Sequence, residues 1–130
     1  MSVNYLTIFN NHFNEFFDDI HNVFPNDADI LTAKNSLAAI RKANPRLLVG
    51  IWLSYIYLKY KDQIDAGDIN FFLEKDYSED LTNMSSKKVM EAIDRLRGPV
   101  KAMSLEDQQK VMKYIQNLSK LALMYESTKQ

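Results

Sequence analysis

The densest apolar stretch of the chain lies between Leu47 and Leu58, where apolar or aromatic residues fill almost every position. A surface helix carries one apolar stripe, whereas a segment that is apolar nearly all round belongs in an enclosed position. The pattern therefore predicts a central buried helix over about 45–64. It holds the only tryptophan, Trp52, together with Tyr55, Tyr57 and Tyr60. Asn44-Pro45 suits its start, with Asn44 as N-cap and Pro45 at the first helical position, where no amide partner is lost. Gly67 suits a left-handed terminator.

The flanking segments read as amphipathic helices. In the first, Asn4 to Val23, the positions Ile8 or Phe9, Phe13, Phe16 or Phe17, Ile20 and Phe24 recur at helical spacing. Asn10, Asn11, Asn14, Glu15, Asp18 and Asp19 are expected on its hydrated face. Pro25 disfavours a helical Phe24, and Asn26 or Asp27 can cap the next helix. This second helix, 28–43, carries a narrow stripe of Ile30, Ala33, Leu37 and Ile40. Asp68 can cap a short helix, 69–73, whose Phe71 and Phe72 are expected to lid one end of the core. The polar, acidic stretch from Glu74 to Met84 has no periodicity and reads as a loop.

A further helix opens at Ser85 or Ser86 and ends at Gly98-Pro99, with Val89, Met90, Ile93 and Leu96 inward. Ser104-Leu105-Glu106-Asp107 resembles a capping box and opens the last helix, 105–125. Its Val111, Ile115, Leu118, Ala122 and Tyr125 form a lengthwise seam, widened by Leu121 and Met124. The whole is an all-α, single-domain bundle over 1–130, of about five helices plus a short one around the central helix.

Composition narrows the picture. At 130 residues the chain fits one domain, and it can bury a core without disulfides or metals. Three glycines and three prolines favour long helices, and the absence of cysteine excludes thiolate metal sites and points to a reducing compartment. The Leu47–Leu58 run is about half of the ~20 residues that span a bilayer, and Arg46, Lys59 and Lys61 flank it, so no membrane span is predicted. The N-terminus lacks the basic and apolar regions of a signal peptide. An intracellular protein is expected.

A net charge of −1 argues against a general polyanion binder. The charges are blocked, however. Residues 1–27 carry Glu15, Asp18, Asp19 and Asp27 and no Lys or Arg, and 28–61 carry Lys34, Arg41, Lys42, Arg46, Lys59 and Lys61 against Asp29. Residues 62–80 carry Asp62, Asp65, Asp68, Glu74, Asp76, Glu79 and Asp80 against Lys75, and the remainder is basic. Such blocks pair within a fold or present patches of opposite sign to partners.

Candidate chemistry is sparse. His12, Glu15 and Asp19 share spacings that a divalent metal can use, but a hydrated helix face accounts for them better, because His21 has no matching glutamate. Asp62, Asp65 and Asp68 around Gly67 lack the spacing of a calcium loop and read as helix ends. Tyr55, Tyr57 and Tyr60 point to different sides of one helix and form no base-stacking platform. They read as buried rings with hydroxyls at the rim. No glycine-rich phosphate loop or nucleophile–base pair is present, so neither catalytic residues nor cofactors are expected.

Phe24-Pro25-Asn26-Asp27, Asn44-Pro45-Arg46, and Tyr60 through Ile64 into Asp68-Ile69-Asn70-Phe71-Phe72-Leu73 with Asp76-Tyr77 form a pattern over roughly residues 5–80. It resembles small helical proteins of large double-stranded DNA viruses, particularly those infecting algae. The resemblance implies a virus-encoded protein acting in the host cytoplasm or packaged in the virion, and it implies no catalytic residue. The expected function is a non-enzymatic interaction or structural protein with protein partners. The candidate contact residues are Asp68, Phe71, Phe72, Glu74, Asp76, Tyr77, Glu79 and Asp80. The alternative is a nucleic-acid-binding module using Lys34, Arg41, Lys42 and Arg46.

Overall fold

The computed structural model describes residues 4–74 and 84–128, which form helices and turns and no strand. Helix α1, Tyr5–Val23, begins where the Asn4 side chain accepts from Thr7 N at 3.1 Å. It ends before Pro25, and Asp27 then caps α2, Ala28–Ala43, by accepting from the amides of Asp29 and Ile30. Both caps satisfy amides that the first helical turn leaves without partners.

The central segment is less regular than its composition suggests. Asn44 does not cap the helix directly. Its Oδ1 accepts from Arg46 N at 3.2 Å, closing a turn through Pro45, and α3 starts immediately after Arg46, Leu47–Ile51. From there the chain widens into a π-helical stretch, Trp52–Tyr57, shown by the Leu58 amide donating to the Leu53 carbonyl at 3.0 Å. A turn at 58–60 separates it from α4, Lys61–Ala66, so the predicted continuous helix over 45–64 is segmented. Trp52, Tyr55, Ile56 and Tyr57 are bulky or β-branched, and such residues hold a tight α turn less well than unbranched ones. The segment is not enclosed all round: Leu48, Val49, Ile51, Trp52, Leu53, Ile56, Tyr57 and Ile64 are buried, whereas Gly50, Ser54 and Leu58, spaced four apart, leave one side open to solvent, Leu58 being 61% exposed.

Gly67 terminates α4 at φ 74°, and the amides of Asp68 and Gly67 return to the carbonyls of Gln63 and Ile64 at 2.8 and 3.1 Å. This is the left-handed C-terminal motif that glycine adopts without a Cβ clash. Asp68 Oδ1 accepts from Asn70 N at 3.0 Å at the entry of α5, Asn70–Glu74. The loop expected between 74 and 84 falls, apart from its ends, outside the described residues. Helix α6 is Met84–Asp94.

Gly98-Pro99 does not end a helix as expected. Both residues lie inside α7, Arg97–Lys101, after a turn at Arg95-Leu96. Pro99 sits in the first turn of α7, where its missing N–H costs no hydrogen bond. Helix α8, Leu105–Thr128, opens with Ser104 Oγ accepting from Asp107 N at 3.2 Å.

The helices surround one core. α1 and α8 make the most extensive pairing and run antiparallel: Val23 and Asp107 border one crevice, while Trp52 bridges Phe9 and Phe13 to Ser119. α2 packs on α6, and α5 on α7. Phe9, Phe13, Ile20 and both Phe16 and Phe17 are buried, so α1 supplies a wider aromatic face than a single stripe. Trp52, 1% exposed, meets Phe13 edge to face at 5.6 Å, and its Nε1 donates to Ser119 Oγ at 2.9 Å. Ser119 donates its own hydroxyl hydrogen to the Ile115 carbonyl at 2.8 Å.

Two positions depart from the amphipathic reading. Asn10, expected on the hydrated face, is 3% exposed, and its Nδ2 donates to the Pro45 carbonyl at 2.9 Å. That carbonyl lies in the irregular turn before α3, so a side chain from α1 supplies its donor. Met124, expected to widen the α8 seam, is 37% exposed and stands outside the core.

Candidate functional site

Two oppositely charged regions arise from how the helices are placed. Residues 30–61 contain no Asp or Glu. The C-terminal half of α2 lies beside the N-terminal half of α1, whose residues 4–14 also lack carboxylates. Between them runs a groove of about 540 Å³ lined by Thr7, Asn10, Asn14, Arg41, Lys42 and Pro45. Arg41 Nη2 donates to Asn11 Oδ1 at 3.0 Å, which holds the guanidinium along the groove wall. Arg41 and Lys42 occupy the last turn of α2, where the negative end of the helix dipole favours cations. Arg46 is exposed just beyond, across the turn.

Lys34 stands apart from the other three predicted cations. Its Nζ lies 2.6 Å from Asp18 Oδ1 on α1, so its charge is compensated within the fold. The acidic region begins at α4. Asp62, Asp65 and Asp68 are exposed, Asp68 caps α5, and Asp65 accepts from the buried Tyr57 hydroxyl at 3.3 Å. Burial, followed by the Asp65 charge and hydrogen bond, raises the Tyr57 phenol above its ordinary pKa.

Of the residues predicted to meet a partner, the structure places Asp68 on the surface and the Phe72 ring in the core, 2% exposed. The Phe72 ring is therefore part of the core and is not available to a partner, contrary to its place among the contact residues. The Phe71 and Glu74 side chains, and Asp76, Tyr77, Glu79 and Asp80, lie outside the described residues.

The His12, Glu15 and Asp19 trio is engaged in other ways. His12 Nδ1 lies 3.6 Å from Glu15 Oε2, and its ring packs at 4.8 Å on Tyr114 of α8. Asp19 accepts the Tyr114 hydroxyl. The Tyr114 phenol is shifted well up, first by burial and then by the hydrogen bond and charge of Asp19, with Glu15 and Asp18 adding to it. Among the described residues no three His, Asp or Glu side chains group as a metal site, and no helix is long and apolar enough to cross a membrane.

The pairs Trp52–Ser119 and Tyr114–Asp19 were not foreseen from the sequence. The residues in each stand far apart in the chain, and nothing in a single sequence links them. Comparison of the chain with family models, with curated proteins and with solved structures gave no match.

Proposed function

We propose that this chain is a non-enzymatic interaction protein that engages protein partners through helix faces and its acidic segment, 62–80. The observation that carries this reading is the charge segregation of the described surface. Asp62 and Asp68 are exposed at α4 and the entry to α5, and Arg41, Lys42 and Arg46 line the α2–α3 corner. Side chains that chemistry could use, among them Asp19, Tyr114, His12 and Glu15, are instead engaged with one another. Complementary charge steers encounter and selects partners more than it adds raw affinity.

The viral resemblance gives the setting, an infected cell or a virion, and proteomics of purified particles tests it. For the interaction itself, the test is cross-linking and affinity capture with the full chain and with Glu79→Lys/Asp80→Lys. A stoichiometric protein partner that the reversal releases, at unchanged folding, supports the reading. Identical capture by both chains removes the acidic segment from it.

A second reading, a nucleic-acid-binding module, is favoured by the carboxylate-free groove holding Arg41 and Lys42. Three phosphate contacts, through these two residues and Arg46, would give a salt slope of about −2 in log K against log salt for a single strand. Fluorescence anisotropy with a labelled oligonucleotide measures it. An absence of binding at low salt, or binding unchanged by Arg41→Glu/Lys42→Glu, defeats this reading.

A further inference from the structure

Away from both charged regions, a cavity of about 250 Å³ opens where the end of α1 meets the start of α8. Its inner wall is apolar: Phe16, Ile20, Met103 and Val111 line it and are buried in the core. Val23, the last residue of α1, stands at its mouth and is 44% exposed. The polar part is Asp19, Asp107, Lys110 and Tyr114. Lys110 lies 3.9 Å from Asp107 and offsets that carboxylate. Asp19 has a hydroxyl donor in Tyr114 but no cation among its described ion pairs.

The cavity thus joins an apolar floor to a mouth with one net negative charge. A cleft of this volume has room for an aromatic group, since an enclosed apolar cavity of about 150 Å³ suffices to bind benzene. We propose that this cavity is a binding site for a small amphipathic cation: an apolar group of one or two fused aromatic rings, carrying an ammonium that meets Asp19 at the mouth. The inference goes beyond the interaction reading and does not depend on it. Among the causes that raise the Tyr114 phenol, burial comes first and favours neither charge, but the carboxylates of Asp19, Glu15 and Asp18 that add to it favour a cation. Lys34 compensates the adjacent Asp18 from the α2 side, which leaves Asp19 facing α8.

The test uses tryptamine as probe, with 3-ethylindole and indole-3-propionate as its neutral and anionic counterparts, read by NMR shifts of the Val23, Met103 and Val111 methyl groups in the full chain. The expected result is saturable binding of tryptamine, about tenfold weaker binding of the neutral probe and none of the anion. Asp19→Asn keeps an acceptor for Tyr114 and should weaken tryptamine about tenfold without affecting the neutral probe. Lys110→Met should strengthen tryptamine. Val23→Phe, at an exposed position, should block the mouth to all probes while leaving the melting temperature close to that of the parent chain. Equal shifts from all three probes, no saturable shift from tryptamine, or tryptamine binding that is indifferent to both Asp19→Asn and Val23→Phe would overturn the assignment.

Discussion

The side chains that decide this molecule are those that satisfy one another across helices. Trp52 fills the space between Phe9, Phe13 and α8, and its indole N–H needs an acceptor once buried. Ser119 is that acceptor, which explains a serine that is 1% exposed on an apolar seam. Ser119→Ala leaves the indole donor unpaired and should cost about 1–3 kcal/mol. Trp52→Phe should cost about 2–4 kcal/mol through the lost volume and hydrogen bond together. Because both remove the same bond, the double variant should be less destabilised than the sum, as read by urea unfolding; strict additivity would show that the pair is not coupled.

Tyr114 gives a prediction in pH. Its folded phenol titrates above the ordinary value of 10.0, so the unfolded chain gives up this proton first. The stability it contributes is complete below about pH 10 and falls as pH rises toward the folded value. Thermal melts from about pH 8 to 12 should show a shallower alkaline decline in Tyr114→Phe than in the parent. Parallel declines would mean that the phenol does not titrate differently in the fold.

At the scale of elements, legibility followed the physical signal. α1, α2 and α8 announce themselves by helical spacing, the latter two also by caps at Asp27 and Ser104, and their observed limits lie close to the predicted ones. The break at 58–60 was not legible, because Leu58-Lys59-Tyr60 contains no glycine, proline or asparagine, and the π widening before it has no periodic signature of its own. Gly98-Pro99 misled in the opposite direction, since a proline in a first helical turn looks the same in sequence as one that stops a helix. The buried Asn10 was missed because its partner is a backbone carbonyl distant in the chain.

Gly67 was legible, and a substitution checks it. Gly67→Ala forces a Cβ into the left-handed region at φ 74° and should cost about 1–2 kcal/mol, seen as a lower urea midpoint with an unchanged slope. A neutral effect would mean that α4 can end in another way. Phe72 gives a larger test of α5. If the ring seals the core as its burial indicates, Phe72→Ala should cost about 3–5 kcal/mol. A cost well under about 1 kcal/mol would instead make α5 a peripheral flap.

For the whole molecule, the core and the surface differ in what sequence alone could give. The all-α bundle and its most buried segment follow from apolar density, so they were visible before any coordinates. Which charges remain outward was not, because it depends on pairings such as Lys34 with Asp18 and Arg95 with Asp29 that join separate helices. These pairings leave Arg41, Lys42 and Arg46 at one corner and Asp62 and Asp68 at another. Salt screens interactions between exposed charges over about 10 Å at 0.1 M, so an interface resting on either corner must weaken as salt rises.

The most direct measurement is therefore the dissociation constant of the principal captured protein partner, for the parent chain and for Glu79→Lys/Asp80→Lys, between about 50 and 300 mM salt. The interaction account predicts saturable binding that weakens with salt in the parent, and weaker, flatter binding in the variant at equal fold stability. Binding with the same affinity and salt slope in both chains would contradict it.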